Sequence, residues 1–219
     1  MIAMKLLNEI EAHLVINELE RSYPNVKYYL NFKTPIDLLV AAIISAQTRD
    51  EVVNAVTPEI FGRYKKASDY ASADIKEFTR LISKVSFAGN KAKNIISTCS
   101  IIAKKFNDSV PDKPEELMAL PGIGRKTANT ILINAYGKVC GIPVDTWVIK
   151  LSYRIGLSGE KNPDKIEKDL MKVVEKKEWA RIAYVLKAHG KKICQSKVPI
   201  CSICPIKSLC PRNGVSKSK

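Results

Sequence analysis

Apolar and polar residues follow one another along this chain with a helical beat almost from end to end. In EFTRLISKV (77–85) and KAKNIISTCSIIAKKF (91–106), apolar residues recur at i, i+3, i+4 and i+7, which gathers them on one face of an α-helix. IDLLVAAIISAQ (36–47) has the apolar density of a buried helix. NPDKIEKDLMKVV (162–174) and EWARIAYVLKAHGKKI (178–193) predict two more amphipathic helices, and MIAMKLLNEIEAHLVINELE (1–20) another at the N-terminus. PDKPEELMAL (111–120) opens with Asp112 as a candidate cap, then Pro114 and acidic residues in the first turn. Strand signals are nearly absent; GKVCGIPV (137–144) is short and broken by Gly and Pro. The expected fold is all-α, compact and joined by short connections.

Composition fits that picture and charge adds to it. At 219 residues, 46% apolar and 26% charged, the chain can build one large core or two smaller ones. No run approaches the eighteen or so apolar residues of a membrane span, and the start lacks a signal peptide's basic–apolar–small order. The expected location is therefore cytoplasmic, beside the nucleoid in a prokaryote. Net charge is +14, and from Val139 onward 17 Lys+Arg face only 7 Asp+Glu. After Glu178 there is no acidic residue at all. Such asymmetry points to a polyanion rather than a membrane surface, because no strongly apolar face accompanies the cations.

LPGIGRKTANTIL (120–132) is the most informative stretch. One helix is expected to end near Leu120 and another to start near Arg125. Gly122 and Gly124 between them permit unusual backbone conformations and leave amide donors uncovered at a helix start, which suits a phosphate. A Walker loop is excluded, because its first glycine would fall at Ala119 and Arg125 separates Gly124 from Lys126. In the second helix Ala128, Ile131, Leu132 and Ala135 form the apolar stripe, and Lys126 lies on roughly the opposite side. The string closely resembles the helix-hairpin-helix element of DNA-repair glycosylases. That resemblance implies a hairpin that grips a DNA phosphate without reading sequence, with Arg125 and Thr127 among its contacts. It also implies that Lys126 attacks C1′ of the damaged nucleotide as a Schiff-base nucleophile.

GIPVDTWVIKLSYRIG (141–156) places Asp145 before a helical run, where it serves as an N-cap on its own merits. The same family carries a V-D-T-x-V segment at this distance from the lysine, and its aspartate is catalytic. The resemblance therefore gives Asp145 a second role, stabilising the sugar cation and managing the lysine's proton. Where the family usually has His after VDT, this chain has Trp147, which is placed in the base pocket and puts the choice of damaged base in question.

CQSKVPICSICPIKSLC (194–210) spaces Cys194, Cys201, Cys204 and Cys210 as C-x6-C-x2-C-x5-C. Four thiolates in so short a span suit a metal centre, either zinc or an iron–sulfur cluster. The spacing resembles the [4Fe–4S] loop of endonuclease III-like glycosylases, which implies that cluster and a basic loop, including Lys191 and Lys207, against DNA. A base within a duplex must be flipped out to be reached, and the gap filled. IISAQTRD (43–50) and VSFAGNKAKNII (85–96) resemble the family's gap-filling elements and nominate Gln47 and Phe87.

The resemblance covers about Asn31 to Arg212. It implies two helical domains flanking a DNA-binding cleft: 28–138, ending in the hairpin, and 1–27 with 139–219, holding the cluster loop. The implied partner is double-stranded DNA bearing a damaged base or abasic site, and the implied protein is a monomer. The expected activity is that of a bifunctional glycosylase and abasic-site lyase, acting most naturally on oxidised pyrimidines. Two alternatives stand beside it. One is a monofunctional mismatch glycosylase, though thymine-mismatch relatives usually lack the hairpin lysine. The other is a non-catalytic DNA-binding iron–sulfur module, against which Lys126 and Asp145 argue together.

Overall fold

A computed structural model describes residues 4–219, and among them every regular element is helical. In chain order these are α1 (Glu9–Ser22), α2 (Pro35–Ser45), α3 (Asp50–Arg63), α4 (Ala67–Ala71), α5 (Ile75–Leu81), α6 (Ala88–Phe106), α7 (Pro114–Met118), α8 (Arg125–Tyr136), α9 (Thr146–Ile155), α10 (Pro163–Val173) and α11 (Trp179–Lys192). The chain divides into two compact units, one of residues Tyr29–Cys140 and one combining Met1–Tyr28 with Gly141–Lys219. None of the described helices is long and apolar enough to cross a membrane.

The continuous unit is built around α2. Thr34 and Asp37 close its start as a reciprocal capping box, with Pro35 in the first turn. Leu38, Leu39, Val40, Ala41 and Ile44 are fully buried, because α3, α6 and α8 pack around it. The longest helix, α6, buries Ile95, Cys99 and Ile102 and carries α4 and α5 on its flank. Tyr64, Tyr70 and Phe78 stack edge and face beside it.

The discontinuous unit packs α1 against α10 and α11, and α9 against the same two helices. Val15, Leu19, Leu151, Ile155, Ile166 and Val185 supply its core. Buried Asn213 ties its ends together. Its amide nitrogen donates to the Lys5 and Tyr153 carbonyls, and its oxygen accepts from the Lys5 amide at 3.0 Å. An asparagine suits this place because one planar group both donates and accepts.

Four local expectations are corrected. Asp112 does not cap α7; Lys113 holds the N-cap position, and Asp112 pairs with Lys138 at 2.5 Å instead. That ammonium holds the Asp112 carboxyl below its ordinary range. Gly124 is extended (φ −95°), a conformation open to any residue, and a Cβ there would meet nothing within 4 Å. The segment 85–96, expected as a glycine-containing loop between helices, is mostly helical: α6 begins at Ala88 and takes in Gly89. The first helix starts only at Glu9, capped by Asn8 and Glu11; of the residues before it, 1–3 lie outside the described part.

Candidate active site and nucleic-acid interface

The hairpin between α7 and α8 has the backbone that its glycine pattern predicts at one position. Gly122 adopts φ +79°, in the left-handed region, and a Cβ there would meet the Asn94 side chain of α6 at 3.0 Å. Four residues along α6, Thr98 donates its hydroxyl to the Pro121 carbonyl at 2.7 Å. The turn is thus tied to α6 at Pro121, and Gly122 leaves room for the Asn94 side chain. It closes with the Ile123 amide on the Leu120 carbonyl at 3.1 Å. Gly124 is the N-cap of α8 and brings no side chain over the first-turn amides.

Lys126 is the second residue of α8 and half-buried, with no acidic residue in that first turn. Its own carbonyl accepts the Thr130 hydroxyl at 2.9 Å. Ala128, Ile131 and Leu132 are buried as the stripe predicts, but so are Asn129 and Thr130, three and four residues after Lys126. The face that carries the lysine is therefore not turned to solvent, and Ala135 of the stripe is only half-buried. Arg125 and Gly124 are exposed, and Thr127 is half-buried.

Asp145 is the N-cap of α9. Its Oδ1 accepts from the amides of Trp147 at 2.8 Å and Val148 at 2.9 Å. Only one carboxylate oxygen is engaged in this cap, so capping fixes the group's position while Oδ2 takes no part in it. The Trp147 ring lies against α11. A Cβ at Gly190 would fall 2.4 Å from its ring carbon Cε3, so the close approach exists only because residue 190 is glycine. Lys150 holds its ammonium 5.3 Å from the Trp147 ring centroid.

Cys194, Cys201, Cys204 and Cys210 are all half-buried and line one pocket in the discontinuous unit. Its walls are apolar residues such as Ile155, Ile193, Ile200 and Ile206. Four soft sulfur donors in an apolar wall suit an iron–sulfur centre chemically, and zinc as well. The described residues show no set of three or more His, Cys, Asp or Glu converging on a single ion. Burial pushes the Cys210 thiol up to about 11 and raises Cys194 and Cys204 too, so a cationic centre would have to draw off their protons as it binds.

Two neighbours of this loop escaped the sequence reading. Arg154, at the end of α9, donates to the Cys194, Gln195 and Ser196 carbonyls and reaches Cys194 Sγ at 3.6 Å. His189 lies 3.6 Å from Cys204 Sγ through Nε2 and 3.0 Å from the Tyr23 hydroxyl through Nδ1. Both partnerships join residues far apart in sequence, which no local pattern announces. Lys191 and Lys207 are exposed beside the loop.

Gln47 and Phe87 are both exposed, Phe87 by 63%. Both are also non-glycine residues in the left-handed region, at φ 53° and φ 57°. That conformation costs on the order of 1 kcal/mol at each, and it persists only where surrounding contacts impose it. Such strained, exposed side chains concentrate at functional sites.

Comparisons with known proteins place the chain in a family. Residues 40–176 match the model of the HhH-GPD superfamily base excision DNA repair proteins. Endonuclease III of Synechocystis sp. (strain ATCC 27184 / PCC 6803 / Kazusa) is 43% identical over 193 residues, 88% of each chain. A solved non-covalent endonuclease III–DNA complex and a trapped endonuclease III–DNA covalent intermediate each superpose with a TM-score of 0.91 at 34% identity, covering 94% of this chain and 97% of theirs. The chain belongs to the HhH-GPD superfamily of base excision DNA repair proteins and, within it, to the endonuclease III family.

Proposed function

We propose that this protein is a bifunctional base excision repair enzyme, a DNA N-glycosylase and abasic-site lyase acting on double-stranded DNA with a damaged base or abasic site. The observation that carries the reading is Lys126, set one residue inside a helix whose N-cap is the last residue of the hairpin. The turn that would hold a phosphate and the helix that bears the amine are one rigid piece, so binding the backbone also aims the nucleophile.

The neutral Lys126 amine attacks C1′, and the bond from C1′ to the base breaks, its electron pair leaving with the base. The departing base takes up the proton that the new secondary ammonium at Nζ gives up. The nitrogen lone pair then breaks the C1′–O4′ bond, O4′ is protonated to a hydroxyl, and a protonated imine joins Nζ and C1′. Removal of a C2′ proton then expels the 3′ phosphate, nicking the strand on that side, and hydrolysis of the imine frees the lysine. Asp145 is assigned the carboxylate role: it stabilises the cationic sugar as the base departs and takes part in the proton transfers. Oxidised pyrimidines are the proposed substrates, with Trp147 bearing on the choice. Gln47 and Phe87 are assigned to the gap left by the flipped nucleotide. The hairpin residues Gly122, Gly124, Arg125 and Thr127, with Lys191 and Lys207, are assigned to the DNA backbone.

The four cysteines are proposed to hold a [4Fe–4S] cluster, supported by their spacing and their shared pocket. When bound, the cluster would brace the basic loop; no step of the reaction passes through it.

Borohydride trapping on abasic-site duplex DNA tests the central claim. The wild-type chain should form a covalent adduct, and Lys126→Gln should lose it entirely. Efficient base removal with neither adduct nor strand cleavage would make the protein a monofunctional glycosylase. DNA binding with no base removal or cleavage would make it a non-catalytic module.

A further inference from the structure

Lys91 is only 5% exposed, yet it carries a charge, and its partners are two carbonyls and a hydroxyl rather than a carboxylate among the described residues. It sits in the first turn of α6, in register with the buried residues Ile95, Thr98 and Ile102 rather than on the wet face. Its ammonium reaches the end of α2, donating to the Ile44 carbonyl at 2.7 Å, the Ala46 carbonyl and the Thr48 hydroxyl at 2.9 Å. Two of those acceptors, Ala46 and Thr48, are the residues on either side of Gln47. A cation at the negative end of α2 is favourable, and it satisfies carbonyls that the helix leaves open. Burial pushes the Lys91 ammonium down to about 8, so it remains charged at neutral pH while bearing a desolvation cost.

The same residue is tied to Phe87. The Lys91 amide donates to the Phe87 carbonyl at 3.1 Å, the first helical bond of α6. Phe87, as left-handed N-cap, has no side-chain cap of its own. Gln47 and Phe87 are two of the three exposed non-glycine residues of the continuous unit in the left-handed region, the third being Asn107, the C-cap of α6, and they are joined through one side chain and one backbone link of Lys91. A plain C-cap for α2 needs only a glycine or a water. A buried lysine clamped on both neighbours of Gln47 does more, because it fixes the loop's distance and angle to α6.

We infer that Lys91 is a positioning residue that locks Gln47 and Phe87 in one register, so that they enter the emptied space in the DNA stack as a single preset element. The inference rests on the assignment of those two residues to the gap. Without the clamp, each loop would have to find its place after the nucleotide leaves, and the duplex would close again in competition.

A duplex carrying 2-aminopurine opposite a tetrahydrofuran abasic analogue reports the filled gap by fluorescence, and single-turnover cleavage of a true abasic duplex reports its consequence. Gln47→Ala and Phe87→Ala should each suppress the fluorescence change. Lys91→Met should suppress it as well and slow duplex cleavage about tenfold, the order expected for a small misplacement of a positioned group. Lys91→Arg should restore part of both. Thr48→Val, which leaves the lysine and removes one acceptor, should give a smaller loss of the same kind. In a Gln47→Ala background, Lys91→Met should add less than about twofold, because the two changes remove one shared function.

A full tenfold loss from Lys91→Met in that background, or an unaltered fluorescence change in Lys91→Met, would overturn the inference. If Gln47→Ala and Phe87→Ala leave the fluorescence untouched, the gap assignment fails and the inference falls with it. The lysine adduct on abasic DNA would still stand, so that failure is distinct from failure of the enzymatic reading.

Discussion

Gly190 and Trp147 show how much rests on single atoms. An alanine at 190 would ordinarily favour a helix interior by roughly 0.5–1 kcal/mol over glycine. Here its Cβ would lie 2.4 Å from the Trp147 ring, so the ring must move off α11. Gly190→Ala should therefore destabilise the protein by about 1–2 kcal/mol, read as a lowered Tm. The penalty should shrink in a Trp147→His background, where a smaller ring leaves room; an equal penalty in both backgrounds would mean that the ring is not the obstacle. Residues with short-range roles, such as Asp145 as a cap, were legible in the sequence because their partners lie two or three residues away. Gly190, Lys91, Arg154 and His189 were not, because each answers a group far along the chain. For Lys91 a trace did exist: a lysine on the apolar stripe of its own helix.

At the scale of elements, α6 organises the continuous unit. Phe87 begins it, Lys91 holds the end of α2, Thr98 holds the hairpin before Lys126, and Asn94 packs against Gly122 of that hairpin. Three features assigned to DNA thus take their places from one helix. The long amphipathic helices were readable from their period. Short α4 was not, since five residues carry no period and its start is held by Asp108, 40 residues ahead, which accepts from the Ser68 amide at 2.6 Å. Asp69 also holds that start, accepting from the amides of Lys65 at 2.8 Å and Lys66 at 3.1 Å. Those amides, Lys65 first, keep its carboxyl below the ordinary value of 3.8. The stabilisation is therefore present above that value and fades as pH falls through the lower, folded one. Asp69→Asn should cost about 0.5 kcal/mol at pH 6, small because solvent reaches the carboxylate. Urea unfolding at descending pH should show the gap between the two proteins closing below pH 3.8; a gap that persists or widens in acid would refute this account.

For the whole molecule, charge and metal bear on the same region. The cysteine loop belongs to the stretch after Glu178 that contains no acidic residue, so it combines soft metal donors with cations that its own stretch of sequence does not balance. The purified protein should be yellow-brown with broad absorbance near ~400 nm if the four cysteines hold iron and sulfide. If the cysteines hold iron, its removal should expose 194–219 to proteolysis before any other described segment, because no α-helix lies in that stretch and only the short 3-10 turn Cys201–Ile203 is regular. A colourless protein with one tightly bound zinc would overturn the cluster assignment. The overall helical class was visible in the sequence, since periodicity is a local property. The pairing of the N-terminal segment with the C-terminal one was visible only through family resemblance, because the Asn213 clasp on Lys5 spans 208 positions. That clasp also sets a timetable during synthesis. The segment before Tyr29 leaves the ribosome first, yet its partners Gly156, His189 and Asn213 come after the whole continuous unit. At about 5–20 residues per second, the N-terminal helix waits on the order of ten seconds with its apolar face uncovered. The nascent chain therefore completes the lysine-bearing unit before the unit that holds the cysteines can close.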